Sequence, residues 1–203
     1  ICAGLLTSAL CFAGAGCVKY RLLSLVRDFT PAEFKNNVMA VADTAKHFNL
    51  PTVLTTSFVQ GPNGVLLPEI RRMFPNAPFI PRPGQINAWD NEDFVKAVKA
   101  TGRKQLVIAG IVTEVCVAFP ALSALNEGFE VFVVVDASGT FNKTTRNAAI
   151  ARMQQAGAQM ITWFAMASEL QRDWRDNGDG RKKIYCDPLL EYDALVVAHD
   201  AEK

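Results

Sequence analysis

Cys116 is the residue best placed in this sequence to do chemistry. It follows the apolar run Leu106-Val107-Ile108-Ala109-Gly110-Ile111 and the turn Val112-Thr113-Glu114-Val115. Site loops in α/β proteins gather at the carboxyl ends of parallel strands, so a thiol just past such a strand is a candidate nucleophile. Pro120 locates it further. Proline costs little in the first turn of a helix, where N–H groups lack intrahelical acceptors. A helix is therefore predicted to begin near Val117, with Cys116 at or beside its N-cap. The positive end of the helix dipole and the free N–H groups there stabilise a thiolate and can hold a developing oxyanion. The competing reading is a buried structural cysteine, a common role for this residue.

The remaining candidate ligands and charges narrow the chemistry. Cysteines stand at positions 2, 11, 17, 116 and 186, with no C-x-x-C pair. His47 and His199 lie in no metal-type pattern, so neither a metal nor a cofactor is expected. No G-x-G-x-x-G follows a strand, which disfavours dinucleotide binding. The net charge is +1. The basic clusters Arg71-Arg72 and Arg181-Lys182-Lys183 are short and lack interleaved aromatics. Neither nucleic acid nor an anionic membrane is an expected partner. Unpaired thiols point to a reducing compartment, the cytoplasm. The apolar segment 1–17 has no basic flank and is too short and Gly-rich to span a bilayer. It reads as a buried first strand.

These residues need a scaffold, and the pattern supplies one. The chain has 203 residues, half of them apolar, which suits a single domain with a sizeable core. Helices are expected at 31–49, 91–101, 120–127, 143–156 and 167–175, from apolar residues at helical spacing between Pro and Gly signals. Strands are expected at 51–57, 78–81, 105–111, 130–136 and 159–164. Alternating strands and helices imply a mostly parallel sheet covered on both faces. Residues 176–203 read as a C-terminal arm that packs on a neighbouring subunit, hinged at Gly178-Asp179-Gly180.

The segment Ile111-Val112-Thr113-Glu114-Val115-Cys116-Val117-Ala118-Phe119-Pro120 resembles the nucleophile segment of the isochorismatase-like cysteine hydrolases. Leu23-Ser24-Leu25-Val26-Arg27-Asp28, Arg82-Pro83-Gly84-Gln85-Ile86-Asn87-Ala88-Trp89-Asp90-Asn91 and Asp136-Ala137-Ser138-Gly139-Thr140 resemble the YcaC-like branch of that family. The likeness runs over residues 21–175. It implies a three-layer, Rossmann-like α/β fold with a six-stranded parallel sheet, and a triad of acid, cation and cysteine. Cys116 matches the nucleophile and Arg82 the cation. The resemblance also implies a cis peptide between Val112 and Thr113 that turns an N–H into an oxyanion hole. It implies a small-molecule substrate, an amide or related carbonyl compound, and a homo-oligomer, an octamer of stacked tetrameric rings. Phe58, Asn87, Trp89 and Phe119 are expected to line the pocket.

The likeness breaks at one important position. The family's aspartate should stand eleven residues before Asp28, and that position holds Cys17. The aspartate would take the thiol proton and pass it to the leaving group. Three accounts compete: a homologue impaired in catalysis, with Cys116 a redox-responsive or ligand-binding thiol; a terminal sequence written in a shifted frame; or an acid from a neighbouring chain. Residues after Arg175 depart from the branch too, and this clustering at the two ends favours the shifted frame.

Overall fold

In the computed structural model, residues 8–13, 26–61, 63–175, 180 and 182–202 are described. The strands are β1 (Ser8–Ala13), β2 (Thr52–Ser57), β3 (Phe79–Arg82), β4 (Gln105–Ile111), β5 (Glu130–Gly139) and β6 (Gln159–Ile161). The helices are α1 (Pro31–His47), α2 (Pro68–Met73), α3 (Glu92–Ala100), α4 (Ala118–Asn126), α5 (Lys143–Gln155), α6 (Trp163–Gln171) and α7 (Leu190–Ala201). All strand pairs are parallel, in the order β3-β2-β1-β4-β5-β6. The order reverses direction between β1 and β4. Such a switch point opens a crevice at the carboxyl ends of the two strands, and the turn bearing Cys116 leaves β4 there.

β4 shows why the sheet is closed on both sides. Val107, Ala109 and Ile111 join one core cluster, with Phe34, Val38 and Val41 of α1 and Met166 and Leu170 of α6. Leu106 and Ile108 join the other, with Phe94 and Val98 of α3, Ala121 of α4 and Met153 of α5. Alternate residues therefore face opposite helical layers.

Helix boundaries follow local caps. Thr30 accepts from the Glu33 N–H and Glu33 reaches back to the Thr30 N–H, a capping box that starts α1 at Pro31. β6 and α6 differ from the sequence expectation. β6 stops at Ile161, because Thr162 caps α6 and Asp136 accepts from the Trp163 N–H at 2.9 Å. β5 runs on to Gly139 across a register shift opposite Ile108 and Gly110. The six-residue α2 and the start of α7 at Leu190 were not foreseen from periodicity. The predicted first strand is seen only as Ser8–Ala13, and its other residues, with the Gly178-Asp179 hinge, lie outside the described residues. Among the described residues, no helix is long and apolar enough to cross a membrane.

Candidate active site

β3 ends at Arg82, and β2 builds the platform beneath it. Thr55 and Ser57 are alternate residues of β2 and share a face. Arg82 Nε donates to Thr55 Oγ1 at 3.0 Å, and Ser57 Oγ donates to the Gln85 carbonyl at 3.0 Å. Arg82 Nη1 donates to the carbonyls of Gln85 and Ile86. Arg82 is 1% exposed, and its Nη2 has no hydrogen-bond partner among the described residues. Burial lowers the guanidinium's pKa, while the Cys116 thiolate and Asp90 pull it back up.

Cys116 comes from the other side of the switch point. It lies in a π-helical turn, Thr113–Val117, which runs directly into α4. Val117 stands at the N-cap of α4, so Cys116 is beside that cap, and Pro120 falls in the first turn as predicted. The thiol is half-buried. Burial raises its pKa most; a backbone hydrogen bond from Val112 and the charge of Arg82 lower it; Glu114 raises it. Thr113 is buried, and its hydroxyl has no partner among the described residues.

The cis peptide lies between Ile111 and Val112, not between Val112 and Thr113. The inversion sits where the chain leaves β4, whose last residue is Ile111, one residue earlier than the resemblance implied.

The expected pocket residues divide. Phe58 follows β2 directly, its N–H donates to the Arg82 carbonyl at 2.9 Å, and the residue is 48% exposed. Its ring also rests over Gly61, where a Cβ would come within 2.2 Å of the ring. Asn87 instead acts as a cap, accepting from the Trp89 N–H and donating to Ser123 Oγ at 3.0 Å. Trp89 packs edge-on to Phe94 and Phe129, and its indole donates to Glu127 at 2.8 Å. Phe119 packs on the α3–α5 core with Arg152 over its ring. The contacts of Asn87, Trp89 and Phe119 are therefore those of supports. Cys17 lies outside the described residues.

A second polar group adjoins the nucleophile turn. Thr140 Oγ1 donates to Glu114 Oε2 at 2.6 Å, and the Thr140 N–H donates to Asp28 Oδ1 at 2.9 Å. Arg146 of α5 approaches Asp28 at 3.9 Å and stacks over Phe29. Burial raises the pKa of Asp28, and raises that of Asp136 to about 6. Sequence reasoning placed Glu114 in the turn without a chemical role; its one signal was a charge in an apolar run. No group of three or more His, Cys, Asp or Glu among the described residues is arranged to hold a metal ion. The described cysteines, Cys11, Cys116 and Cys186, are free thiols.

Known proteins share this arrangement of elements. The Isochorismatase domain model matches residues 22–164. The probable hydrolase YcaC of Escherichia coli (strain K12) is 64% identical over 179 residues, covering 88% of this chain and 86% of that protein. The structure of E. coli YcaC, described as an octameric hydrolase of unknown specificity, superposes with a TM-score of 0.94. It is 57% identical and covers 100% of this chain and 99% of that one. YcaC from Pseudomonas aeruginosa, solved with hexane-2,5-diol and covalent acrylamide, gives 0.92 at 60% identity, covering 97% and 96%.

Proposed function

The chain belongs to the isochorismatase family, in its YcaC-like branch, and on that premise we propose a metal-free cysteine hydrolase that acts on a small amide or related carbonyl compound. The observation that carries this reading is the convergence of the buried guanidinium of Arg82, at the end of β3, and of Cys116, in the turn after β4, at the carboxyl ends of the parallel sheet, where the charge of each acts on the other. A desolvated cation beside a thiol favours the thiolate and is poised for a developing negative charge.

The steps follow from that arrangement. The Cys116 thiolate adds to the carbonyl carbon, and the carbonyl π electrons move to oxygen. Backbone N–H groups of the turn that follows the cis Ile111–Val112 peptide hold the oxyanion. Collapse expels the amine, which takes up a proton, and leaves a thioester. Water then adds to the thioester, releases the carboxylic acid and restores the thiol. The covalent acrylamide in the P. aeruginosa relative supports a nucleophile on this scaffold, since acrylamide is an electrophile of the kind thiolates attack.

A second reading keeps the fold and drops the turnover. Cys17 stands where the family's aspartate is expected, so a catalytically impaired homologue with a redox-responsive or ligand-binding thiol is its rival. A panel of small amides followed by intact-mass analysis decides between them. The hydrolase reading expects turnover and a transient acyl adduct on Cys116. No turnover, with Cys116 ionising near 8.5 as an ordinary thiol does, supports the rival.

The assembly belongs to the same proposal. α7 carries Leu190, Leu195 and Val197 at 76%, 63% and 60% exposure. An apolar helix face this open is suited to cover by another copy, and the E. coli relative is octameric. Leu195→Glu should then give a smaller particle by light scattering.

A further inference from the structure

The far side of the nucleophile turn holds a device that the triad does not require. Glu114 and Cys116 are two residues apart in the π-turn, so their side chains leave it in different directions. Cys116 answers to Arg82 at the end of β3, whereas Glu114 is gripped by Thr140 at the end of β5. The Thr140 hydroxyl is fully buried, and its own N–H is tied to Asp28, just ahead of α1. The nucleophile turn, the end of β5 and the lead-in to α1 are thus joined by two hydrogen bonds.

We propose that Glu114 and Thr140 are positioning residues for the nucleophile. The Thr140 hydroxyl pins the Glu114 carboxylate on the β5 side, so that the turn is held with Cys116 Sγ toward Arg82, and the pinned charge tunes the thiol's ionisation. The inference rests on Cys116 being the nucleophile, as proposed above.

The cost of the anchor is electrostatic. A fixed carboxylate opposes the thiolate, while Arg82 and the Val112 backbone support it. The other charges around the anchor are Asp28 ahead of α1, Arg146 on α5 and Asp136 on β5. Arg146 faces both aspartates, whereas the hydrogen bond that holds Glu114 comes from a neutral hydroxyl, which does not cancel the carboxylate's effect on Cys116. A short charge-assisted O–H···O bond of 2.6 Å is a strong tether.

The test is the pH dependence of Cys116 alkylation by iodoacetamide on the full chain, read by peptide mass spectrometry. Glu114→Gln keeps an oxygen for Thr140 but removes the charge. Its profile should move to lower pH by about half a unit, or roughly threefold in rate at a pH below the midpoint. In a Thr140→Val background the same substitution should move it less than half as far, because the carboxylate is no longer pinned. Thr140→Ser, which keeps the hydroxyl, should retain the parental profile. A purely structural contact would change stability without this pattern of shifts.

An unmoved Glu114→Gln profile overturns the inference and leaves the hydrolase reading intact. If Glu114→Gln does not fold, the Thr140 pair still decides, and identical profiles for Val and Ser overturn it. Label on another cysteine with none on Cys116 overturns both.

Discussion

Cys11 and Cys116 are both desolvated thiols, one sealed inside the sheet and one half-buried at its edge. Cys11 sits in the middle of β1, paired in register with Val53 and Ile108 and 2% exposed. Desolvation alone acts on it and pushes its pKa up to about 12. Cys116 also pays for desolvation, but a backbone hydrogen bond and a guanidinium oppose it. The difference teaches that burial makes a thiol inert and that a nucleophile needs a buried counter-charge. The centre of a parallel strand cannot offer one, since its backbone groups are committed to neighbouring strands. The carboxyl end of β4 can, because the chain there leaves the sheet.

The largest expected effect is on turnover. Cys116→Ser should lower amide hydrolysis by about a thousandfold or more, as loss of a covalent nucleophile does; Cys11→Ser should leave the rate within about threefold. A reversal of those two results would break the comparison outright. Next, iodoacetamide at pH 8 should label Cys116 at least about a hundredfold faster than Cys11, counted by peptide mass spectrometry. Arg82→Gln should then slow both labelling and turnover by roughly ten- to a hundredfold, on the scale of losing one electrostatic stabiliser. An unaffected labelling rate would mean that the cation serves only the substrate.

Asp136 extends the lesson to a carboxyl and carries the smallest effect. Burial raises its pKa from 3.8 to about 6, against backbone N–H groups of Trp163, Asp136 itself and Ala137 and a partial pull from Arg146. The folded state therefore holds a proton that the unfolded chain has released between those values. Its stabilisation is complete below pH 4 and is lost as pH rises through about 6, by on the order of 2–3 kcal/mol. Asp136→Asn keeps an acceptor for Trp163 and should flatten that slope in urea titrations between pH 4 and 7.

Much of the scaffold could be read from the chain. β4 was expected at 105–111 and is seen there, because an unbroken apolar run bounded by polar residues suits a strand buried on both faces. α1 was legible from Thr30, Pro31 and its apolar spacing. The β6–α6 boundary was not. The residue that starts α6 is fixed partly by Asp136, remote in sequence but adjacent in the sheet. The packing roles of Trp89 and Phe119 were not legible for a related reason. An aromatic in a loop or first helical turn has no periodic context to tell core from cavity, and here both rings pack on α3, α4 and α5. Intact mass and N-terminal peptides settle Cys17 directly, and an aspartate there would restore the family's full triad.

The sequence by itself determined the alternation of strands and longer helices, the place of Cys116 after β4 and the first-turn role of Pro120. Those features depend on neighbours within a turn or two. Likeness to the family, rather than any local signal, marked Arg82 in its Pro/Gly loop. Only the tertiary structure decided that Arg82 and the Cys116 turn lie at the same end of the sheet, that the cis peptide is Ile111–Val112, and that Thr140 grips Glu114. Parallel strands join residues far apart in the chain, and their register, set by the packing of two helical layers, selects which side chains meet at the sheet's edge.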